Sequence, residues 1–119
     1  MKRTVVIGAS PNPGRYAYLT TLKLQAYGHN VFPVGIKKGN IKNIAILNGY
    51  PPIENIDTIT LYVGPQNQPY WYDYIFSLKP KRIIFNPGTE NQWLFDKAES
   101  KGIETLEACT LVILSARTY

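Results

Sequence analysis

The sequence predicts an α/β fold, with a mostly parallel sheet of five or six strands and helices on both faces. Short apolar runs alternate with segments of helical periodicity along the 119 residues, as in repeated strand–helix–strand units. Residues 4–9 are apolar or β-branched without alternation, which is typical of a strand buried on both faces. No repeat, linker or low-complexity segment interrupts the chain, so we expect residues 1–119 to form a single domain.

The first predicted strand leads into a predicted helix. Asn12 and Pro13 have the residue types of a helix N-cap and a first helical position. Apolar residues then recur at helical spacing up to Gly28, which predicts the C-terminal stop of this helix.

Three further strands are predicted in the middle of the chain. Residues 30–34 form the second strand and residues 44–47 a short third one. Residues 57–63 form a clear strand rich in Thr, Ile, Leu and Val, which ends at Gly64 and Pro65.

The second half of the chain continues the alternation. A helix is predicted from about Asn67 and a strand over residues 81–85. Thr89 and Gln92 match the capping-box pattern, which predicts a helix that stops at Gly102.

Two segments complete the predicted fold. Residues 103–106 read as a strand, and residues 110–114 as either a strand or a short helix. The elements together predict a compact Rossmann-like fold, in which ligands bind at the carboxyl ends of the strands where strand order reverses. This rule selects four loops: residues 8–15, 35–38, 63–67 and 86–91.

The charge balance favours a small anionic ligand over a nucleic acid. The chain carries 13 Lys and Arg against 8 Asp and Glu, a net charge of +5. These basic residues are spread along the chain, and no predicted helix carries a basic stripe. The sequence therefore does not favour nucleic-acid binding, and it predicts a small-molecule nucleotide ligand instead.

Membrane, secretory and metal-binding classes are not supported. No apolar run reaches membrane-spanning length, and the charged start of the chain leads into a strand rather than a signal-peptide core. We therefore expect a cytoplasmic protein. The single cysteine, Cys109, cannot form an intrachain disulfide, and there is no Cys/His cluster for zinc.

The first selected loop has residues suited to phosphate. Gly8 permits a tight turn, the amides at the start of the helix face outward with the positive end of its dipole, and Ser10 and Arg15 add side-chain donors. The Gly8, Ser10 and Gly14 spacing departs from Gly-x-Gly-x-x-Gly by a substitution and one extra residue. The alternative is that Gly8 only packs the strand against the helix.

The second selected loop argues against NAD. An NAD-binding domain usually ends its second strand with an acid that grips the ribose 2′-hydroxyl. Here no acid occurs between Arg15 and Glu54, and Lys37 and Lys38 follow the strand. The loop therefore favours a ribose that carries a phosphate, as in coenzyme A (CoA) or NADP, although two solvated lysines remain the alternative.

No catalytic constellation stands out. His29 is predicted to lie in a surface turn, Cys109 to be an inert buried thiol, and Ser10 has no evident base. Because no nucleophile–base pair can be named, a non-catalytic protein is favoured, with enzymatic activity left open.

An aromatic segment follows the third selected loop. Its residues are interpreted as core or subunit interface, which leaves a homodimer open. They are Tyr70, Trp71, Tyr72, Tyr74 and Phe76.

The sequence resembles the small stand-alone CoA-binding domain proteins. These are related to the CoA-binding domains of succinyl-CoA synthetase and of ADP-forming acyl-CoA synthetases. The resemblance covers nearly the whole chain and rests on the order and spacing of these residues: Gly8-Ala9-Ser10-Pro11-Asn12-Pro13, Arg15, Tyr18, Gly28, Val31-x-Pro33-Val34, Tyr50-Pro51, Ile56-Asp57, Gly88-x-x-Asn91 and Gly102-Ile103 leading to Cys109.

The resemblance implies that CoA lies across the carboxyl edge of the sheet with its phosphates at the first turn. The adenine and ribose would lie toward the loops after the second strand and at Gly64, and the segment from Asn86 would close the far side. The residues that would contact CoA are Gly8, Ala9, Ser10, Asn12, Arg15, Lys37, Lys38, Gly64, Pro65, Pro87, Gly88 and Asn91.

The chain departs from the family pattern at two places. Gly35 and Ile36 stand where the family often has Asn-Pro, and Ala17 stands where it often has Ser. Both changes are expected to remove polar or shaping groups near the cleft. The synthetase relatives also need a phosphohistidine-bearing domain and a nucleotide-grasp domain, for which 119 residues leave no room.

Three functions follow as hypotheses. The first is a non-catalytic or regulatory module that binds CoA or an acyl-CoA. The second is an NADP-binding or NADP-sensing domain, and the third is an accessory subunit of an enzyme that uses acyl-CoA.

Overall fold

The computed structural model describes residues 1–119. Strands of the main sheet and helices alternate along most of the chain, with the short strands β3 and β4 inserted after β2. They are β1 (Arg3–Ile7), α1 (Tyr16–Ala26), β2 (Asn30–Val34), β3 (Asn40–Ile41), β4 (Ile44–Ala45), β5 (Thr58–Leu61), a 3₁₀ helix (Pro65–Trp71), α2 (Tyr72–Ser77), β6 (Arg82–Phe85), α3 (Gln92–Ser100), β7 (Glu104–Glu107) and α4 (Thr110–Ser115).

The main sheet has five parallel strands in the order β2-β1-β5-β6-β7. The α/β, Rossmann-like architecture is therefore confirmed. After β1 the chain first adds β2 on one side and later returns to add β5 on the other. The order of strands thus reverses between β1 and β5, and the crevice at their carboxyl ends is where such sheets bind ligands.

Helices cover both faces of the sheet. On one face, Val5 and Ile7 pack with side chains of the 3₁₀ helix, α2 and α3 in the larger hydrophobic cluster. On the other face, Val6 packs with Ala17 and Leu24 of α1 and with α4. Since β1 alternates its side chains between these two clusters, it is buried on both sides, as its unbroken apolar run predicts.

The predicted third strand is not part of this sheet. Residues 44–47 contribute only the two-residue β4, which pairs antiparallel with β3. Leu47 adds a single bridge to Val34 at the end of β2. The segment instead braces the loop after β2, because Gly35 donates its backbone N–H to the Leu47 carbonyl over 3.0 Å.

Helix α1 begins later than predicted. Its N-cap is Arg15, so the expectation that Asn12 and Pro13 start the helix is wrong. The Asn12 side chain accepts a hydrogen bond from the Gly14 amide over 2.9 Å. An Asn side chain that bonds to backbone two residues ahead stabilises a turn and thereby delays the helix.

The predicted capping box of α3 is also wrong. Asn91 is the N-cap, and its side chain accepts from the Leu94 amide over 3.2 Å. Thr89 is buried and donates its hydroxyl to the Asn86 carbonyl instead. The helix expected from about Asn67 begins as a 3₁₀ helix at Pro65. Residues 110–114, predicted as either a strand or a short helix, form a helix.

The opposite, amino edge of the sheet holds a small polar cluster. Arg82 is buried, donates from Nε to the Thr58 hydroxyl over 3.0 Å, and lies over the Tyr119 ring at 4.5 Å. His29, which occupies the predicted turn, is partly buried, and its Nδ1 accepts from the Lys2 amide over 3.1 Å. Burial, followed by nearby positive charges, lowers the pKa of His29.

Candidate functional site

A cavity of about 980 Å³ opens at the carboxyl ends of β1 and β5. Its walls come from the loop after β1, the first turn of α1, the loop after β2, the segment at Tyr50, and the loop after β5 with the 3₁₀ helix. This position coincides with the reversal of strand order, and the volume is in the range of small-molecule sites.

The structure places six of the twelve sequence-predicted contact residues around this cavity. They are Gly8, Ala9, Ser10, Arg15, Lys37 and Gly64. The others do not line it: Asn12, Lys38, Pro65, Pro87, Gly88 and Asn91.

Gly8 is required by the backbone at the end of β1. Its φ is +98°, and a Cβ there would lie 2.8 Å from the Tyr62 carbonyl oxygen. The amides of Gly8 and Ala9 both donate to the Val34 carbonyl, over 2.9 and 3.0 Å. These two amides are therefore engaged with β2 and are not free to bind a ligand.

Free donors lie slightly further along the chain. The backbone amides of Ser10, Tyr16 and Ala17 donate to no acceptor in the protein, and all three residues line the cavity. Tyr16 and Ala17 are the first residues of α1, where unpaired N–H groups and the helix dipole favour an anion. The Ser10 hydroxyl accepts from the Asn12 amide over 3.1 Å and keeps its proton for a further acceptor.

Arg15 and Lys37 bring two positive charges to the cavity. The chain's one ion pair joins Lys2 and Asp57 at the other edge of the sheet, so neither cation has a carboxylate partner. No Asp or Glu lines the cavity. The site therefore combines unpaired backbone donors with uncompensated positive charge, an arrangement that suits a polyanion.

The loop that carries Lys37 is held in place by its backbone. Asn48 donates from Nδ2 to the Gly35 carbonyl over 2.7 Å and to the Lys37 carbonyl over 3.0 Å. A Cβ on Gly35 would lie 2.4 Å from the Ala9 carbonyl oxygen. Gly35, one of the residues that differ from the family pattern, thus permits close contact between the loops after β1 and β2.

Tyr62 forms part of the cavity floor. Its hydroxyl is hydrogen-bonded to that of Thr20, which is fully buried in α1. Burial raises the pKa of Tyr62 to about 12. The side chain is a neutral hydrogen-bonding group near pH 7, as an unshifted tyrosine also is, and the raised pKa extends that state to higher pH. Nothing in the sequence around Tyr62 indicates that it lines a cavity.

The loops after β5 and β6 are tied together by Gln68. This fully buried side chain donates from Nε2 to the Val63 carbonyl over 2.9 Å and to the Thr89 carbonyl over 2.7 Å. Its Oε1 accepts from Asn91 Nδ2 over 2.8 Å. Asn91 is therefore engaged in capping α3 and in bridging these loops.

The remaining residues of the loop after β6 lie outside the cavity. Pro87 and Gly88 are exposed, and the Gly88 amide donates to the Glu90 carboxylate over 2.9 Å. Asn86 is buried and donates to the Thr60 hydroxyl over 2.7 Å.

Large apolar side chains line the cavity and remain exposed. Tyr70 is 73% exposed and Tyr50 58%, whereas the neighbouring Trp71 and Tyr74 are buried in the core. Tyr16 and Ile36 are also exposed and line the cavity. Sequence reasoning assigned the aromatic segment to core or interface as a whole, because spacing alone does not separate its buried from its exposed members.

Other features of the molecule are less suited to a nucleotide. A depression of about 660 Å³ lies at the amino edge of the sheet, and its lining includes Glu54, Asp57, Lys79 and Lys81. Cys109 is partly buried at the N-cap of α4. The structure has no group of three or more His, Cys, Asp or Glu that could hold a metal, and no helix long and apolar enough to span a membrane.

Solved structures support the fold. A crystal structure of a protein described as uncharacterized is 53% identical, with a TM-score of 0.98 over 100% of this chain and 98% of that one. A hypothetical protein from Pyrococcus horikoshii OT3 is 23% identical, with a TM-score of 0.86 over 98% of this chain and 83% of its own.

A third neighbour is a far longer chain. The dinucleotide forming acetyl-coenzyme A synthetase 1 of Ca. Korarchaeum cryptofilum, solved with phosphate and ADP, is 17% identical, with a TM-score of 0.66. The match covers 88% of this chain and 25% of the synthetase. No curated protein matches the chain.

The family itself is shown by a sequence model. The model described as CoA binding domain matches residues 2–115, which is nearly the full length. The resemblance seen in the Gly8-Ala9-Ser10 turn and the residues that follow is confirmed, and the chain belongs to the CoA-binding domain family.

Proposed function

We propose that the protein binds CoA or an acyl-CoA in the cavity at the carboxyl edge, as a non-catalytic or regulatory module. The observation that carries the proposal is that backbone amides without an acceptor and cations without a carboxylate partner line the same cavity, which no Asp or Glu lines. Membership of the CoA-binding domain family supports the choice of ligand.

The diphosphate of the ligand binds at the start of α1. The amides of Tyr16 and Ala17 and the Ser10 hydroxyl donate to its oxygens, and Arg15 adds charge-assisted hydrogen bonds. Gly8 and Ala9 contribute by shaping the turn, because their own amides bind the Val34 carbonyl.

Lys37 binds the 3′-phosphate of the CoA ribose. It lines the cavity, whereas Lys38 does not, so only the first of the two lysines has this role. NADP, which carries its extra phosphate on the 2′ position, is the alternative ligand, and it satisfies the same charge requirement. NAD lacks such a phosphate and would also find no acid for its ribose hydroxyls.

The module acts by binding rather than by chemistry. The titratable side chains around the cavity are Arg15, Lys37 and tyrosines, with no carboxylate, histidine or cysteine among them. A general base that works near pH 7 is therefore absent from the lining. Activity on the acyl group would require groups from a partner, as in an accessory subunit of an acyl-CoA-using enzyme.

Thermal unfolding of the purified protein with CoA, acetyl-CoA, NADP, NAD and ATP tests the proposal. A ligand present at about 100 times its Kd stabilises the folded state by about 2.7 kcal/mol, which raises the Tm measurably. We expect a rise with CoA or acetyl-CoA. A rise with NADP and none with either CoA species would replace this proposal with the alternative ligand.

A further inference from the structure

Two tyrosines of the cavity lack an explanation in terms of phosphate binding or core packing. Tyr70 is 73% exposed and Tyr50 58% exposed, and both line the cavity that also holds the cations. Exposed aromatic surface inside a concave site usually marks the place where a ligand's apolar part binds.

Tyr50 is held rigidly although it lies in a loop. Its hydroxyl donates to the Tyr70 carbonyl over 2.7 Å, and its ring meets those of Trp71 and Tyr74 at centroid distances of 5.4 and 5.5 Å. These distances are typical of aromatic pairs.

The backbone next to Tyr50 is fixed in the same way. The Tyr74 hydroxyl donates to the Pro51 carbonyl over 2.6 Å. Tyr50 is thus positioned by contacts with buried Trp71 and Tyr74, and little conformational entropy is lost when a ligand binds to it. Tyr70 is joined to Tyr50 through its backbone carbonyl.

We propose that Tyr50 and Tyr70 form a stacking platform for the adenine base of the bound nucleotide, an inference that rests on the CoA-binding function above. A base presents a flat π-face to an aromatic ring, and the phosphates of the same ligand bind across the cavity at α1. The two exposed tyrosines would thus increase ligand affinity through the base, whereas the cations and free amides act on the phosphates.

The test uses CoA and its fluorescent analogue 1,N6-etheno-CoA with the full chain and the variants Tyr50→Leu, Tyr70→Leu and Tyr50→Phe. Titration calorimetry gives the affinity for CoA, and emission of the saturated etheno complex reports stacking on the base. Trp93→Leu is the matched control, because Trp93 is 55% exposed but does not line the cavity.

We expect each Leu variant to bind CoA about tenfold more weakly, as is typical when a stacking ring is removed. Etheno emission should be quenched in the unaltered complex and recover in the Leu complexes. Tyr50→Phe keeps the ring and should retain most of the quenching, and Trp93→Leu should change nothing.

Two outcomes would overturn the platform. Unaltered affinity and quenching in both Leu variants would show that the base binds elsewhere, while CoA binding itself stands. Absence of CoA binding by the unaltered protein would overturn the proposed function and the platform together.

Discussion

At the scale of single residues, two glycines and one carbonyl define the geometry of the site. Gly8 needs its positive φ, and Gly35 needs the absence of a side chain, since the Ala9 carbonyl lies where its Cβ would be. Gly35 and Ile36 differ from the family pattern and were expected from the sequence to remove a group that shapes the cleft. Gly35 instead shapes the cleft itself, because its missing side chain allows the loops after β1 and β2 to come into close backbone contact.

Gly35→Ala should be destabilising and should weaken CoA binding. A Cβ 2.4 Å from a backbone oxygen forces the loops after β1 and β2 apart, and overpacking of this kind costs about 1–3 kcal/mol. Urea unfolding measures the loss. Gly64→Ala is the control for stability, because its new Cβ meets only the end of the Gln66 side chain at 3.2 Å; equal stability of the two variants would contradict the argument.

His29 should make stability depend on pH. Its pKa is lowered from 6.5 by burial and by the positive charges of the N-terminus, Lys2 and Arg82, with Asp57 opposing. The unfolded chain then binds the proton more readily, so the contribution to stability is complete above about pH 6.5 and is lost as pH falls below that value through the lowered pKa of the folded state. Denaturant titrations between pH 5 and 8 should show this slope, which His29→Gln should reduce; an unchanged slope would exclude His29 as its source.

At the scale of elements, side chains outside the cavity position the loops that form it. Asn48 fixes the loop after β2, and Gln68 joins the loops after β5 and β6. Neither residue carries a motif, because each acts on backbone carbonyls that only the folded chain brings near. Sequence patterns found the loops themselves, since strand ends and turn residues are local properties.

Asn48→Ala should lower CoA affinity through Lys37. Without the hydrogen bonds to the Gly35 and Lys37 carbonyls, the lysine loses its fixed position. We expect CoA binding to weaken about tenfold, as for loss of a charge-assisted contact, while dephospho-CoA is bound unchanged. Lys37→Ala should give the same pattern and Lys38→Ala none. Titration calorimetry measures the affinity of each variant for CoA and for dephospho-CoA. If the variants lose as much affinity for dephospho-CoA as for CoA, Lys37 does not recognise the 3′-phosphate.

Gln68→Leu should destabilise the protein by about 1–3 kcal/mol, because the carbonyls of Val63 and Thr89 lose a buried donor. The neighbouring Gln66 is exposed, so Gln66→Leu is the matched control and should be close to neutral. Chemical denaturation gives the free energy of unfolding of both variants. Similar losses of stability in the two would show that the buried hydrogen bonds of Gln68 do not stabilise the fold.

At the scale of the whole molecule, the topology was predictable, whereas the ligand contacts stay a prediction. Apolar runs that alternate with helical periodicity indicated a parallel sheet, and the crevice where strand order reverses, between β1 and β5, followed from the fold class. The start of α1 was misplaced because the Asn12 side chain stabilises a turn rather than the helix. Asn91 was noted for the ligand, but the fold uses it to cap α3. The homodimer stays a prediction.

The charge of the molecule should accelerate ligand capture. With a net charge of +5 and no carboxylate in the cavity, association with CoA should be fastest at low ionic strength. Stopped-flow measurements from 20 to 300 mM salt should show the association rate falling several-fold with a smaller change in dissociation. Uncharged pantetheine serves as the control ligand. A salt-independent association rate for CoA would show that steering plays no part.

The Val34 carbonyl, which accepts both the Gly8 and Ala9 amides, has one more effect. It joins the end of β2 to the turn after β1, so the turn that carries Ser10 and the loop that carries Lys37 begin at one shared backbone contact. Under the proposed function, this contact sets the separation between the groups that bind the diphosphate and the lysine that binds the third phosphate. We expect a nucleotide whose phosphates are spaced differently to bind more weakly.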